Sequence, residues 1–414
     1  DGANNTLNFS DTVLTNISGI DAGGGHDMVY AATSTSGKVV YDGNTGTDTF
    51  IVTLTLTQAQ NTTLLNQLKV LANNSGNGQV NAGGLNFESQ NFENFQVRVQ
   101  VGDTYLPIST NILIGTGGND ADLAVETHAN GANGQTSQPW MIFGLNNNDI
   151  MTGSNGNDIL VGGHGNDTIN GGNGNDTFLV GGTNHGNDVF NGGAGTDRIL
   201  ATENNTNIGL AAANALQSVE EISGNGFANV KVVGTGGNDE LDFKNVTITG
   251  ITEIDGGNNA DTIITSDVSA ANYRGGHGND SFVLGAASAT LLYAGTNNGA
   301  DSFSGNFVGD TAIHTIKATS DNTEIGLNNG FDNGVDVIDG GGFANVKVVG
   351  TGGNDVLNFK NVEIGAGITE IDGGNNADTI TTSDVSAANY RGGHGNDSFV
   401  LGAASATLLY AGTN

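Results

Sequence analysis

The sequence predicts an all-β chain: a β-solenoid wound from short Gly/Asp-rich units and carrying one helix-containing insertion. Three observations predict it. Aspartates recur every nine residues, at Asp149, Asp158, Asp167 and Asp176, each inside a Gly-rich loop. An apolar residue follows shortly after each aspartate, as in Asp167-Thr168-Ile169 and Asp176-Thr177-Phe178. A longer unit recurs as well, since Gly226 to Val233 is repeated at Gly342 to Val349, a shift of 116. Fixed periods of this kind mark stacked units, each too small to bury a core alone.

Composition narrows the function. Of 414 residues 68 are glycine, roughly twice the usual share. The chain has 43 acidic against 11 basic residues, for a net charge of −32. No basic face is available to neutralise phosphate, which excludes a nucleic-acid binder and argues against docking on anionic lipid. No apolar run is long enough to span a bilayer, so membrane insertion is not expected. Cysteine is absent, so a chain working in an oxidising compartment needs a stabilising device other than disulfides. The opening residues do not read as a signal peptide. They match the interior of the long unit instead: Leu7, Phe9, Ile20, Asp21 and Asp27 correspond to Leu241, Phe243, Ile254, Asp255 and Asp261 at one shift of 234. The expectation is a segment of a longer tandem array.

Taken in order, the pattern divides the chain into five parts. Residues 1–51 form a partial solenoid repeat, and 52–112 a helix-plus-strand insertion. Residues 113–200 hold the strict nonapeptide block. Residues 201–317 are a long solenoid repeat and 318–414 a second, incomplete one. Within the insertion, Leu64, Leu65, Leu68 and Leu71 form the stripe of one amphipathic helix between Thr57 and Asn74. Alternation in Phe95, Val97, Val99 and Val101 then reads as a strand. A second insertion, Asp122 to Trp140, reads as a surface loop.

Each unit reads G-G-x-G-x-D-x-U-x, with U apolar. Glycine tolerates positive φ, so the first six residues can curl with their carbonyl oxygens turned inward. The aspartate adds a carboxylate, completing the flexible all-oxygen shell that Ca²⁺ prefers and Mg²⁺ does not. The last three residues form a short strand with U inward, giving a ladder through Ile150, Ile159 or Leu160, Ile169 and Phe178. The candidate calcium ligands are Asp149, Asp158, Asp167, Asp176, Asp188 and Asp197. Looser copies add Asp27, Asp48, Asp261, Asp280, Asp301, Asp378 and Asp397, with Asp120, Asp239, Asp310 and Asp355 ending further degenerate loops. Ligation would hold the carboxyls of Asp158 and Asp176 below their ordinary pKa.

This nonapeptide resembles the RTX family of hemolysin-type calcium-binding repeats, secreted or cell-surface bacterial proteins, most closely from Gly144 to Leu200. The resemblance implies a parallel β-roll with two strands per turn and several calcium ions. It implies that each ion lies between turns stacked on the same side, pairing Asp149 with Asp167 and Asp158 with Asp176. The longer spacings, Asp261 to Asp280 and Asp280 to Asp301, point to an irregular parallel β-solenoid with turns of about twenty residues.

Catalytic signatures are missing from the sequence. It contains no H-E-x-x-H zinc motif, no G-x-S-x-G elbow and no cysteine nucleophile. His164, His277 and His394 each occupy the third position of a G-G-H-G-N-D loop and read as solvent-facing turn residues. The expectation is therefore a non-enzyme: an extracellular, calcium-stabilised structural repeat of a surface layer, sheath, filament or adhesin stalk. Its partners would be further copies of itself or other surface-layer subunits. The alternative is a secretion and folding tail of a type I-secreted exoenzyme, such as a protease, lipase or polysaccharide-modifying enzyme.

Overall fold

A computed structural model describes residues 2–35, 37–108, 112–115, 118–120, 123–124, 138–305, 311–332 and 334–409. Asp310 and most of the Asp122–Trp140 stretch lie outside the described residues. The chain is nearly all-β and is wound as a parallel β-solenoid. It divides into two compact units: residues 1–164, 168–179 and 192–197, and residues 165–167, 180–191 and 198–414.

The first unit opens with two parallel ladders. One runs through Thr6–Asn8, Met28–Tyr30, Thr49–Leu54 and Asn94–Val101, the other through Gly19–Asp21, Val39–Asp42 and Leu85–Gln90. Leu7 pairs with Val29 and Val29 with Phe50, steps of 22 and 21 residues. Phe50 then pairs with Phe95, a step of 45. The helical segment is thus an enlargement of a single turn, with strands of the ladder on both sides of it. The last strand of each ladder folds back as an antiparallel hairpin, Gly78–Ala82 on Leu85–Gln90 and Thr104–Ile108 on Asn94–Val101. An antiparallel turn-back gives the final parallel strand a partner and so protects an edge that would otherwise template further pairing.

Two helices occupy the enlarged turn where the leucine stripe predicts one. Helix α1 spans Leu56–Ala59 and α2 spans Thr62–Asn73. The break has a local cause. Asn61 is extended, and its side chain accepts from the Leu64 amide at 3.0 Å, an N-cap that starts a new helix there. Leu64, Leu65, Leu68 and Leu71 are all buried, as the stripe requires, while Val70 on the opposite face is 64 % exposed. Thr55 and Gln58 close a capping box on α1.

The strict nonapeptide block winds more tightly. In the first unit, Ile112–Ile114, Met141–Asn146, Ile159–His164 and Thr177–Val180 form one ladder. Leu123–Ala124, Ile150–Thr152 and Thr168–Asn173 form the other. Leu123, expected in a surface loop, is instead a buried strand residue paired with Met151. Ile150 pairs with Thr168 and Leu160 with Phe178, both eighteen residues apart. One turn is therefore two nonapeptides, with a strand from each on opposite sheets. The core ladder needs one correction: Ile150 is 47 % exposed and Met151 is the buried residue. Side chains alternate along a strand, so the second residue after the aspartate faces inward, while the first is exposed at Ile150 and Thr168 but covered at Ile159 and Thr177. Met151, Leu160, Ile169 and Phe178 are the inward column, each at most 1 % exposed.

The second unit carries the two long repeats. Its longest ladder stacks eight strands, from Asn207–Gly209 to Glu363–Ile364. Ile208, Val232, Ile254, Tyr273, Leu291, Ile316 and Ile338 point inward along it, all fully buried. Turn length varies here, from 18 residues between Ala388 and Ala406 to 26 between Val337 and Glu363. Side-chain detail is conserved between the two long copies. The Ser266 amide donates to the Tyr273 hydroxyl at 3.0 Å, and Ser383 does the same to Tyr390. Lys231 and Arg274 flank Glu253 in the first copy; Lys347 and Arg391 flank Glu370 in the second.

Candidate metal centres

The Gly/Asp loops join the strands, and stacking of the strands stacks the loops. Each aspartate then falls beside the one a turn away. The contact they make is uniform: the backbone amide of one aspartate donates to Oδ1 of the next. In the first unit Asp27 donates to Asp48, Asp158 to Asp176 and Asp176 to Asp197, each at 2.7 Å. Asp149 accepts from the Asp120 amide at 2.7 Å, and Asp158 from that of Trp140 at 2.6 Å. In the second unit Asp167 donates to Asp188. Asp239, Asp261, Asp280 and Asp301 form one continuous column at 2.8 to 2.9 Å. Asp355, Asp378 and Asp397 form another, at 2.8 and 3.0 Å. Every aspartate assigned from the sequence as a ligand is thus placed in a column. All are buried except Asp397, which is half-buried.

The second carboxylate oxygen carries the chemistry. Oδ2 of Asp27, Asp48, Asp176, Asp261, Asp280 and Asp378 is buried with no hydrogen-bond donor. Its neighbours are other oxygens. A Cβ on Gly256 would lie 2.5 Å from Asp261 Oδ2 and 2.7 Å from the Gly275 carbonyl oxygen of the next turn. The same point beside Gly373 lies 2.5 Å from Asp378 Oδ2 and 2.6 Å from the Gly392 carbonyl oxygen. Only glycine leaves this space open. Gly257 and Gly278, at φ +108° and +138°, supply the left-handed curl that the loop requires. Carboxylate and carbonyl oxygens converge on a point that no protein donor reaches, which is what a hard, oxygen-seeking cation requires. Among the described residues no three His, Asp or Glu side chains gather into one cluster. A cation held here would draw on backbone carbonyls beside the carboxylates.

The protein's own charges make the columns costly when ionised. Burial pushes Asp176 up to about 7, and its column neighbours Asp158 and Asp197 add to the effect. Burial likewise raises Asp261 to about 7, Asp280 and Asp378 to about 6, and Asp188 to about 8. Asp158 is raised too, again chiefly by burial. The sequence predicted lowered values for Asp158 and Asp176. The groups of the protein alone drive them the other way, because desolvation and like charge disfavour the anion. A cation in the column reverses both effects. The orphan oxygens, the glycine space and the raised carboxyls all fit bound calcium.

The RTX calcium-binding nonapeptide repeat matches in four copies, over residues 143–178 and 183–205. The chain carries RTX calcium-binding repeats. No curated protein matches the chain. The matched span contains Asp149, Asp158, Asp167, Asp176, Asp188 and Asp197, the six aspartates of the strict loops. The remaining columns use the same contacts at looser spacing.

Three partners in these columns escape a reading by nonapeptide. Glu93 accepts from the Asp48 amide at 2.7 Å and so ends that column, but it lies 45 residues from Asp48 because the helices intervene. Thr235 and Thr351 hydroxyls donate to Asp239 and Asp355, at 2.6 and 2.8 Å. A hydroxyl four residues before the aspartate is a signal the sequence does carry. His164, His277 and His394 are exposed, as expected of turn residues.

Proposed function

We propose that the protein is a non-catalytic, extracellular structural protein, a calcium-stabilised solenoid of a cell-surface layer, sheath, filament or adhesin stalk. One observation carries this reading: aspartate columns recur with the same contacts in two near-identical long repeats. Such a device makes length, and adding a turn adds one more nearest-neighbour interface. RTX repeats are typical of secreted bacterial proteins, and no helix among the described residues is long and apolar enough to cross a membrane. Calcium at extracellular levels would neutralise the columns only after export, so folding would be coupled to arrival outside the cell. Partners would be further copies of this chain or other subunits of the same layer.

The second reading, a secretion and folding tail of a type I-secreted exoenzyme, draws on the short extent of the strict RTX block, 143–178 and 183–205. Electron microscopy of the purified chain in millimolar calcium and in chelator separates the two. The structural reading expects ordered filaments or sheets in calcium that dissolve in chelator. Single dispersed particles in both conditions would favour the tail.

A further inference from the structure

Asp301 stands in the same column as Asp261 and Asp280, yet its surroundings differ in three ways. Its Oδ1 accepts from the Asp280 amide at 2.8 Å, like any member of the column. Its Oδ2, however, accepts a short hydrogen bond from the Tyr293 hydroxyl, and both residues are buried. The position five residues before the aspartate, Gly256 and Gly275 in the preceding loops, is here Thr296. The glycine of the preceding loops is thus absent, and the Tyr293 hydroxyl lies against Oδ2 instead. At the paired position the next turn brings a leucine rather than an aspartate. Asp301 pairs with Leu327, and its amide donates to the Gly326 carbonyl oxygen at 3.1 Å instead of to a carboxylate.

We propose that the Asp301 turn is built to remain free of calcium, with the Tyr293 hydroxyl taking the place of the cation and ending the calcium column at Asp280. The chemistry is a substitution of one partner for another. A phenol donor satisfies the oxygen that in the inner turns has no protein donor, and a leucine follows where the next carboxylate would stand. The chain thus limits how far the column extends by side-chain choice, and the open Oδ2 atoms of Asp261 and Asp280 are separated from that of Asp378. The inference rests on the reading of the inner aspartates as calcium ligands.

The test counts calcium per chain by equilibrium dialysis and elemental analysis for the wild type, Asp280→Asn and Asp301→Asn. Asparagine keeps the Oδ1 acceptor for the column amide and removes the charge. The expected result is a lower count for Asp280→Asn and an unchanged count for Asp301→Asn. A count lowered by Asp301→Asn to the same degree as by Asp280→Asn would overturn the proposal. An unchanged count in both variants would instead overturn the calcium reading of the inner sites, and the proposal with it. Should Asp301→Asn not fold, resonance Raman on the tyrosine ring decides the matter, using the difference between wild type and Tyr293→Phe. The Tyr293 signature of a phenol donating to a carboxylate should persist in saturating calcium. Its loss on adding calcium would show the ion displacing the hydroxyl.

Discussion

At the scale of the residue, the buried carboxylates favour a cation and make stability depend on pH. Asp176 and Asp261 are pushed up to about 7 and Asp280 to about 6, chiefly by burial. Folded-state values above the unfolded value mean that the metal-free fold binds extra protons between about pH 4 and these values. Its stability is therefore fully present below the unfolded pKa and is lost as pH rises through about 6 to 7. In calcium-stripped buffer, acidification from about pH 8 to about pH 5 should increase the β-signal in circular dichroism. In saturating calcium the sign reverses, because ligation lowers the same pKa values. Stability is then present above the unfolded value of about 3.9 and lost as pH falls, with a midpoint that moves down as calcium rises. Identical pH profiles in the two buffers would remove these aspartates from metal binding. Replacing Asp176 by Ala should weaken calcium binding on the order of tenfold or more, since affinity follows the count of charged ligands. Asp103→Ala, on the exposed hairpin turn, should leave the titration unchanged.

At the scale of the element, the inward column of each turn holds the strands together. Phe178→Ala opens a cavity at a fully buried site and should cost about 3–5 kcal/mol in calcium-saturated denaturant unfolding. Leu68→Ala in α2 should cost about 2–5 kcal/mol, while Val70→Ala on the exposed face should stay within about 0.5 kcal/mol. Equal effects for Leu68 and Val70 would contradict the packing described for α2. Much of this was legible in the sequence, because the spacing of aspartate and apolar residue sets both the loop and the side of the strand. The eighteen-residue turn follows directly from two nonapeptides. The inward face was missed at one unit only: Ile150 and Met151 are both apolar, and strand alternation rather than hydrophobicity chooses between them. The helix break at Asn61 was hidden by the continuous leucine stripe, since one capping asparagine does not disturb the period. Glu93 could not be found by period at all, because an insertion of two helices separates it from its column. Tyr293 acts through space, and a tyrosine eight residues before an aspartate has no meaning in the nonapeptide.

At the scale of the whole molecule, the acidic excess and the glycine content oppose folding, and the columns concentrate that opposition in the interior. A chain of net charge −32 repels itself, and 68 glycines lose much conformational freedom on ordering. Calcium held in the columns would act on both, since the unfolded chain has no preformed site for it. The two long copies, with matching Ser–Tyr bonds and Lys–Glu–Arg clusters, should respond to calcium alike. The most direct measurement is far-UV circular dichroism of the full chain at neutral pH, stripped of metal and then titrated with calcium, with magnesium as the parallel titration. A mostly coil spectrum that turns to β-structure at millimolar calcium, and not at equal magnesium, is the predicted result. A β-spectrum already complete in chelator and unchanged by calcium would contradict the account.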